Sequence, residues 1–443
     1  MAGALYKVAR FCARRRFWIL AAWILVAAAL TLVSHRAGDA TNDSLTLPGT
    51  NSQSATDTLS KPFPNQANGS SPIVLHVANG KLTDAQYASA VNQAAADVAK
   101  APDVASVVNP LTPQGASALS KDQATGYLSV TTSVNPGSLT VDDAQTIINA
   151  AAKPAQAAGI QVETGGQLGQ KVSKPSTEIS ELIGIIAAMV ILTLVFGTVV
   201  AMALPILNAI VGLASTLAIV QILSHSLTVS SVAPTLATMI GLGVGIDYAL
   251  FIVTRHFRGL RDGLEVHESI ARAVATSGGA VAFAGGTVTI ALVSLAVAGI
   301  PLVTTMGLTA AIAVVVAVLA ALTLLPATLA IAGPHINSLR VRGRHQDRRH
   351  ENRHHKAGPK RGLWARWAAG VADRPVIAGL AALAVLIPLA IPLLSLNLGQ
   401  KDVAALPTST TARQAYDLIS ENFGPGVNGP LIVAVSLGSP AQG

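Results

Sequence analysis

The sequence predicts an α-helical polytopic membrane protein with seven transmembrane helices and an α+β ferredoxin-like (βαββαβ) domain outside the membrane. Three observations predict this. Of the 443 residues, 51% are hydrophobic and only 12% charged, with a mean hydropathy of +0.52, whereas soluble globular proteins carry about 25% charged residues. Seven apolar runs approach the roughly 20 residues that a helix needs to cross a bilayer. One long polar segment, residues 35–178, reads as alternating strands and helices.

The spans fall at about Phe17–Val33, Ile179–Val199, Ala203–Leu223, Ala233–Thr254, Ala280–Ala298, Leu302–Ala332 and Pro375–Leu396. The sixth run is long, which predicts tilt or an emergent end near Pro326. Lys7, Arg10, Arg14, Arg15 and Arg16 precede the first span, and Arg255, Arg258, Arg261 and Arg272 follow the fourth. Eleven Lys/Arg lie from Arg340 to Arg374, between the sixth and seventh spans. All three basic segments fall on one side, which the positive-inside rule makes the cytoplasm. The net charge of +8 therefore reflects topology, and no nucleic-acid partner is expected. The organisation expected is residues 1–34, cytoplasmic N-terminus and helix 1; 35–178, outside domain; 179–332, helices 2–6; 333–374, basic cytoplasmic linker; 375–396, helix 7; 397–443, start of a second outside domain. The N-terminal run reads as an uncleaved anchor, since no small-residue cleavage site stands out after it in LVSHRAGDA.

Within 35–178, PIVLHV (72–77), VASVV (104–108), GYLSVTTSV (126–134) and IQVET (160–164) read as strands. LTDAQYASAVNQAAADVAK (82–100) reads as a helix. Thr140 and Asp143 open a second helix in a capping-box arrangement. The order is that of a split βαβ. Neither a metal-ligand cluster nor a nucleophile arrangement is evident, so neither cofactor, metal nor enzymatic activity is expected. The single cysteine, Cys12, cannot form an intrachain disulfide.

An internal repeat spaces Leu47-Pro48 from Leu406-Pro407, Phe63 from Phe423, and Ser71-Pro72 from Gly429-Pro430. The seventh span then reads as the first span of a second copy. The chain is expected to be a piece of a longer duplicated protein whose C-terminal half lies elsewhere.

Asp247, in GLGVGIDYALFIVTRHFR (241–258), is the only ionisable acid or base well inside any span. A charged aspartate at a helix centre costs about 2.5–3.5 kcal/mol, so such residues face a bundle interior or a water-filled path. Gly241 and Gly245 form a small-xxx-small pair, and Gly243 lies one turn from Asp247. Tyr248 points about 100° away from Asp247, towards a neighbouring helix. The acid is therefore expected to be buried and to carry protons. The bland reading is a structural carboxyl bonded to a neighbouring helix.

GLGVGIDYALFIVTRHFR, with LTLLPATL (322–329) closing the sixth span, resembles the MmpL family of the resistance-nodulation-division (RND) superfamily. The resemblance covers essentially the whole chain and implies a porter-type outside domain. It also implies proton-driven export of lipids or lipid-like molecules across the bacterial inner membrane. Asp247 and Tyr248 match the first of the family's two Asp-Tyr pairs; the second would lie beyond Gly443. Three classes stay open: a proton-coupled exporter, a lipid- or sterol-sensing protein that does not pump, and an inactive or assembly-dependent piece. Cargo and oligomeric state, a homo-oligomer included, are not legible. His345, His350, His354 and His355 in the linker read as part of a solvated cationic segment rather than as metal ligands. Tyr6–Phe17 reads as a basic amphipathic helix on the cytoplasmic leaflet or as a simple anchor. Trp18, Trp23, Trp364 and Trp367 read as interfacial anchors.

Overall fold

The computed structural model describes residues 1–38, 40–43, 46–63, 67–173, 178–337, 363–395, 403–424 and 426–429. Residues 1–342 and 406–443 belong to one compact unit and 343–405 to another. The first unit starts with α1 (Ala2–Arg14), α2 (Arg16–Ala37) and α3 (Asn51–Ser60). The porter-like domain follows: β1 (Ser70–His76), α4 (Ala85–Val98), β2 (Val104–Val108), β3 (Thr125–Thr132), α5 (Val141–Ala157), β4 (Gln161–Thr164) and α6 (Gly166–Val172). Next come α7 (Glu178–Phe196), α8 (Val199–Leu223), α9 (Ala233–Arg261), α10 (Val266–Val293), α11 (Pro301–Leu319) and α12 (Leu325–Ala332). The second unit holds α13 (Leu363–Asp373) and α14 (Pro375–Ala390); α15 (Thr411–Phe423) returns to the first unit. Among the described residues, seven helices are long and apolar enough to cross a membrane.

The sheet order is β2-β3-β1-β4 with every neighbour antiparallel. This is the ferredoxin-like arrangement expected from the element order, with β3 lying between β1 and β2. Strand periodicity explains its core. Ile73 and Leu75 face α4 and α5, where Val91, Ala94, Val98, Ala144, Ile147 and Ala151 close over them. Thr140 caps α5 by accepting from the Asp143 amide, and Asp143 reciprocates, forming the capping box read from sequence.

Val74 points to the opposite face, where Ala415 and Ile419 of α15 cover it. The Thr164 amide donates to Thr411 Oγ1 (2.8 Å), and Phe423 meets Tyr127 edge-on at 5.4 Å. Thr50 and Thr410 are the N-cap residues of α3 and α15, and Thr50 alone of the two accepts a capping bond, from the Gln53 amide. α15 buries Ala412, Ala415 and Ile419, whereas α3 buries no residue.

Three features go beyond the sequence reading. α10 begins at Val266, ahead of the span read from about Ala280, because residues 266–279 form an amphipathic stretch. Its Ile270, Ala273 and Val274 are buried in the same core as Ala9 and Ala13, and α1 packs along α10. The helix of the sixth span continues through Pro326. A π turn over Ala320–Leu324 takes up the register change, and Leu325, Pro326 and Leu329 remain buried beyond it. α1 is amphipathic as expected, but its buried face of Ala9, Cys12 and Ala13 lies against α10 and α12. Tyr6 donates to Glu268 Oε2 (2.6 Å), and Arg16 donates to the Ala330 carbonyl (2.8 Å). Trp23 is also a bundle contact, donating to Thr323 Oγ1 (3.1 Å), while Trp18 stays outward. The linker histidines and the Trp364 side chain lie outside the described residues.

Cys12 gives a direct check on the α1 packing. The thiol is buried and its pKa is raised by that burial. A maleimide should label it slowly in the folded protein and completely after denaturation. Rapid labelling of folded protein would mean that α1 leaves the bundle.

Candidate functional site

The candidate site is built on α9. Its close packing comes from small residues. A Cβ at Gly241 would sit 3.4 Å from Ala313 Cβ, and one at Gly245 would sit 3.3 Å from Ala209 Cβ. These two glycines let α8, α9 and α11 approach. Gly243 has nothing within 4 Å and is exposed, so it is not a packing contact within this chain.

Tyr248 is buried, with 7% of its surface exposed. A Cβ at Gly285 would fall 3.5 Å from the Tyr248 hydroxyl and would overlap Val318. The phenol therefore packs beside Gly285 of α10 at ordinary contact distance, and it is Val318 of α11 that needs the glycine there. Asp247 does not join it. Burial was expected for this residue, but the carboxylate is exposed on an outward stripe with Met239, Gly243, Phe251 and Arg255. The physical reason is angular: α8, α10 and α11 occupy the other sides of α9, and position 247 falls on the side that remains.

Two polar clusters were missed from sequence. At one end of α9, His256 Nδ1 lies 2.8 Å from Ser269 Oγ, which itself donates to the His256 carbonyl (2.9 Å). The hydroxyl has one proton, so the imidazole is the donor in the first bond. A side chain at Gly259 would collide with Ser269 Oγ, so glycine permits this clasp. A histidine two and a half turns from the acid was the available signal, and its partner on α10 was not.

At the other end, Asp43 bridges the porter-like domain to the start of α9. Its carboxylate accepts from Ser230 Oγ (2.9 Å), the Ser231 amide (2.8 Å) and Ser231 Oγ (2.8 Å). Lys171 Nζ lies 3.5 Å from Asp43 Oδ2 and donates to the Gly137 carbonyl (3.1 Å). The Asn42 amide donates to Val229 O (2.8 Å), and the Asp43 amide donates to Gly137 O (3.0 Å). Nothing in the linker-like stretch around residue 43 signalled this junction.

Comparison with known proteins follows the same outline. A sequence model of the MMPL family matches residues 44–378. The chain is 33% identical over 440 residues to Membrane protein YdfJ of Bacillus subtilis (strain 168), covering 98% of this chain and 58% of that protein. It is 32% identical over 446 residues to Putative membrane protein SCO6666 of Streptomyces coelicolor, covering 98% and 60%. It is 32% identical over 255 residues to the Mycolic acid-containing lipids exporter MmpL11 of Mycolicibacterium smegmatis, covering 58% and 26%. The chain thus spans less than two thirds of each of these relatives. With its seven apolar helices, its porter-like βαββαβ domain and a family match over most of its length, the chain belongs to the MMPL family.

Proposed function

We propose that this chain is part of a proton-driven exporter of lipids or lipid-like hydrophobic molecules in the bacterial inner membrane. Its N-terminus lies in the cytoplasm and its porter-like domain outside, as the placement of Lys and Arg supports. The name of the MmpL11 relative supports the lipid class of cargo.

The observation that carries the proton role is the outward stripe of α9. A carboxylate there, beside Gly243 and Phe251, is costly against acyl chains. It becomes tolerable when another helix, or water held by one, covers the part of the stripe from Met239 to Asp247. Gly243, with open space over it, lets such a helix come close. The relatives extend well beyond the length matched here, and a second bundle from that region would supply the cover. Asp247 then takes a proton from outside and releases it inwards. Tyr248, buried against α10, holds the adjoining face of α9 in place while the carboxyl changes charge.

The test uses membrane vesicles holding this chain with its C-terminal half. A fluorescent lipid should be exported while a pH gradient is present, and export should stop when a protonophore collapses it. Export unaffected by the protonophore would defeat the proposal.

A further inference from the structure

We infer that the groove between α9 and α10 binds the headgroup and one acyl chain of an anionic phospholipid, from the leaflet at the arginine-rich helix ends. This does not depend on the exporter reading. The groove encloses about 600 Å³, within the roughly 300–1,000 Å³ of small-molecule sites.

Its lining is graded along the helix axes. From α9 come Tyr248, Phe251, Arg255 and Arg258, which follow one face at helical spacing. That face runs for about 15 Å at 1.5 Å per residue. α10 runs antiparallel beside it. Gly285 meets Tyr248, so Ala284 and Ala280 line the apolar end, and Ser277 and Thr276 lie towards the arginines. The groove is therefore apolar towards the membrane centre and cationic at its mouth.

The charge has no internal answer. Among the described residues, neither Arg255 nor Arg258 makes an ion pair or a hydrogen bond, and both are exposed. The nearby acid Glu268 is taken by Arg272 (2.6 Å) and by Tyr6. Asp262 and Glu265, in the α9–α10 turn, are exposed and reach neither arginine. Two guanidinium groups without a side-chain partner fit a phosphate, which arginine binds in a fork. Ala280 and Ala284, with Phe251, line the apolar end of the groove with small side chains, which leaves room there for an acyl chain. A soluble phosphate compound would use the mouth and leave the apolar end empty.

The experiment titrates the purified chain in detergent with phosphatidylglycerol carrying a fluorescent acyl chain, and in parallel with the matching phosphatidylcholine. The expected result is tighter binding of phosphatidylglycerol. Replacing both arginines (Arg255→Gln with Arg258→Gln) should weaken it about thirty-fold, and either alone about five-fold. Phosphatidylcholine binding should hardly change, and lysine at both positions should keep most of the preference. Ala280→Leu with Ala284→Leu should weaken both lipids. Equal affinity for the two lipids in the unaltered chain would overturn the proposal. So would an undiminished preference in the single glutamine variants, which guard against a misfolded double variant. Displacement of the lipid by millimolar glycerol phosphate would overturn the lipid assignment in favour of a soluble phosphate.

Discussion

Asp247→Asn is expected to reduce proton-coupled export to background while leaving the fold intact. The carboxamide has nearly the volume of the carboxyl and can still accept and donate hydrogen bonds, but it does not carry a proton at physiological pH. The substitution removes the chemistry and little else. Its location makes the experiment clean: Asp247 lies on the exposed side of α9, so no packing within the chain is lost. Substitutions at such positions usually change stability by about 0.5 kcal/mol or less. Expression and thermal midpoint should therefore match the unaltered protein, while pH-gradient-driven efflux disappears. Tyr248→Phe should behave differently. It removes the hydroxyl from a buried ring without disturbing the packing of that ring beside Gly285, and should leave measurable export. A lipid sensor that does not pump would keep its ligand binding in Asp247→Asn. Normal proton-driven export in that variant would remove Asp247 from the mechanism.

Much of the architecture was written in the sequence because two length scales dominate it. The bilayer demands apolar runs of fixed length, and strand periodicity sorts Ile73 and Leu75 from Val74. The capping pair Thr140 and Asp143 is local, so it could be read directly. What escaped was long-range. α1 reads equally well as a helix on lipid or on protein, and only the tertiary fold puts Ala9 and Ala13 against α10. The amphipathic turns at the start of α10 were not legible because hydropathy finds the apolar part of a helix and not what precedes it. The orientation of Asp247 is instructive because its signal was present. At 100° per residue, Gly241 and Gly245 lie close together on one face, whereas Gly243 lies nearly opposite and Asp247 lies with it. Two glycines packing inward thus turn the aspartate outward. Glycine spacing alone does not say which pair faces the bundle; Ala209 and Ala313 decide that.

Asp43→Ala is expected to uncouple the porter-like domain from α9 and to destabilise the protein by about 2–3 kcal/mol. Three donors of the Ser230–Ser231 turn, which leads into α9, converge on this carboxylate, and Lys171 approaches from the domain side. Lys171 is almost fully buried, with 5% of its side chain exposed. Removing the acid leaves that ammonium with the Gly137 carbonyl as its described partner. Breaking a buried ion pair costs about 3–5 kcal/mol, and the lower figure applies here because Asp43 is 27% exposed and the 3.5 Å separation is long. The consequence for function follows from geometry. The same two-residue junction, Asn42–Asp43, holds Val229 and the start of α9 on one side and Gly137 on the other. Movement of the domain would thus be passed to the helix that bears Asp247, and the reverse. Asp43→Ala should therefore lower the thermal midpoint and leave proton uptake poorly linked to lipid movement. Asp43→Asn, which keeps one acceptor oxygen for the serines but loses the charge facing Lys171, should fall between. Lys171→Met in the Asp43→Ala background should restore part of the stability by removing the stranded charge, yet not the coupling. If Asp43→Ala exports normally with an unchanged proton-to-lipid ratio, the junction is an anchor and force passes between domain and membrane by another route.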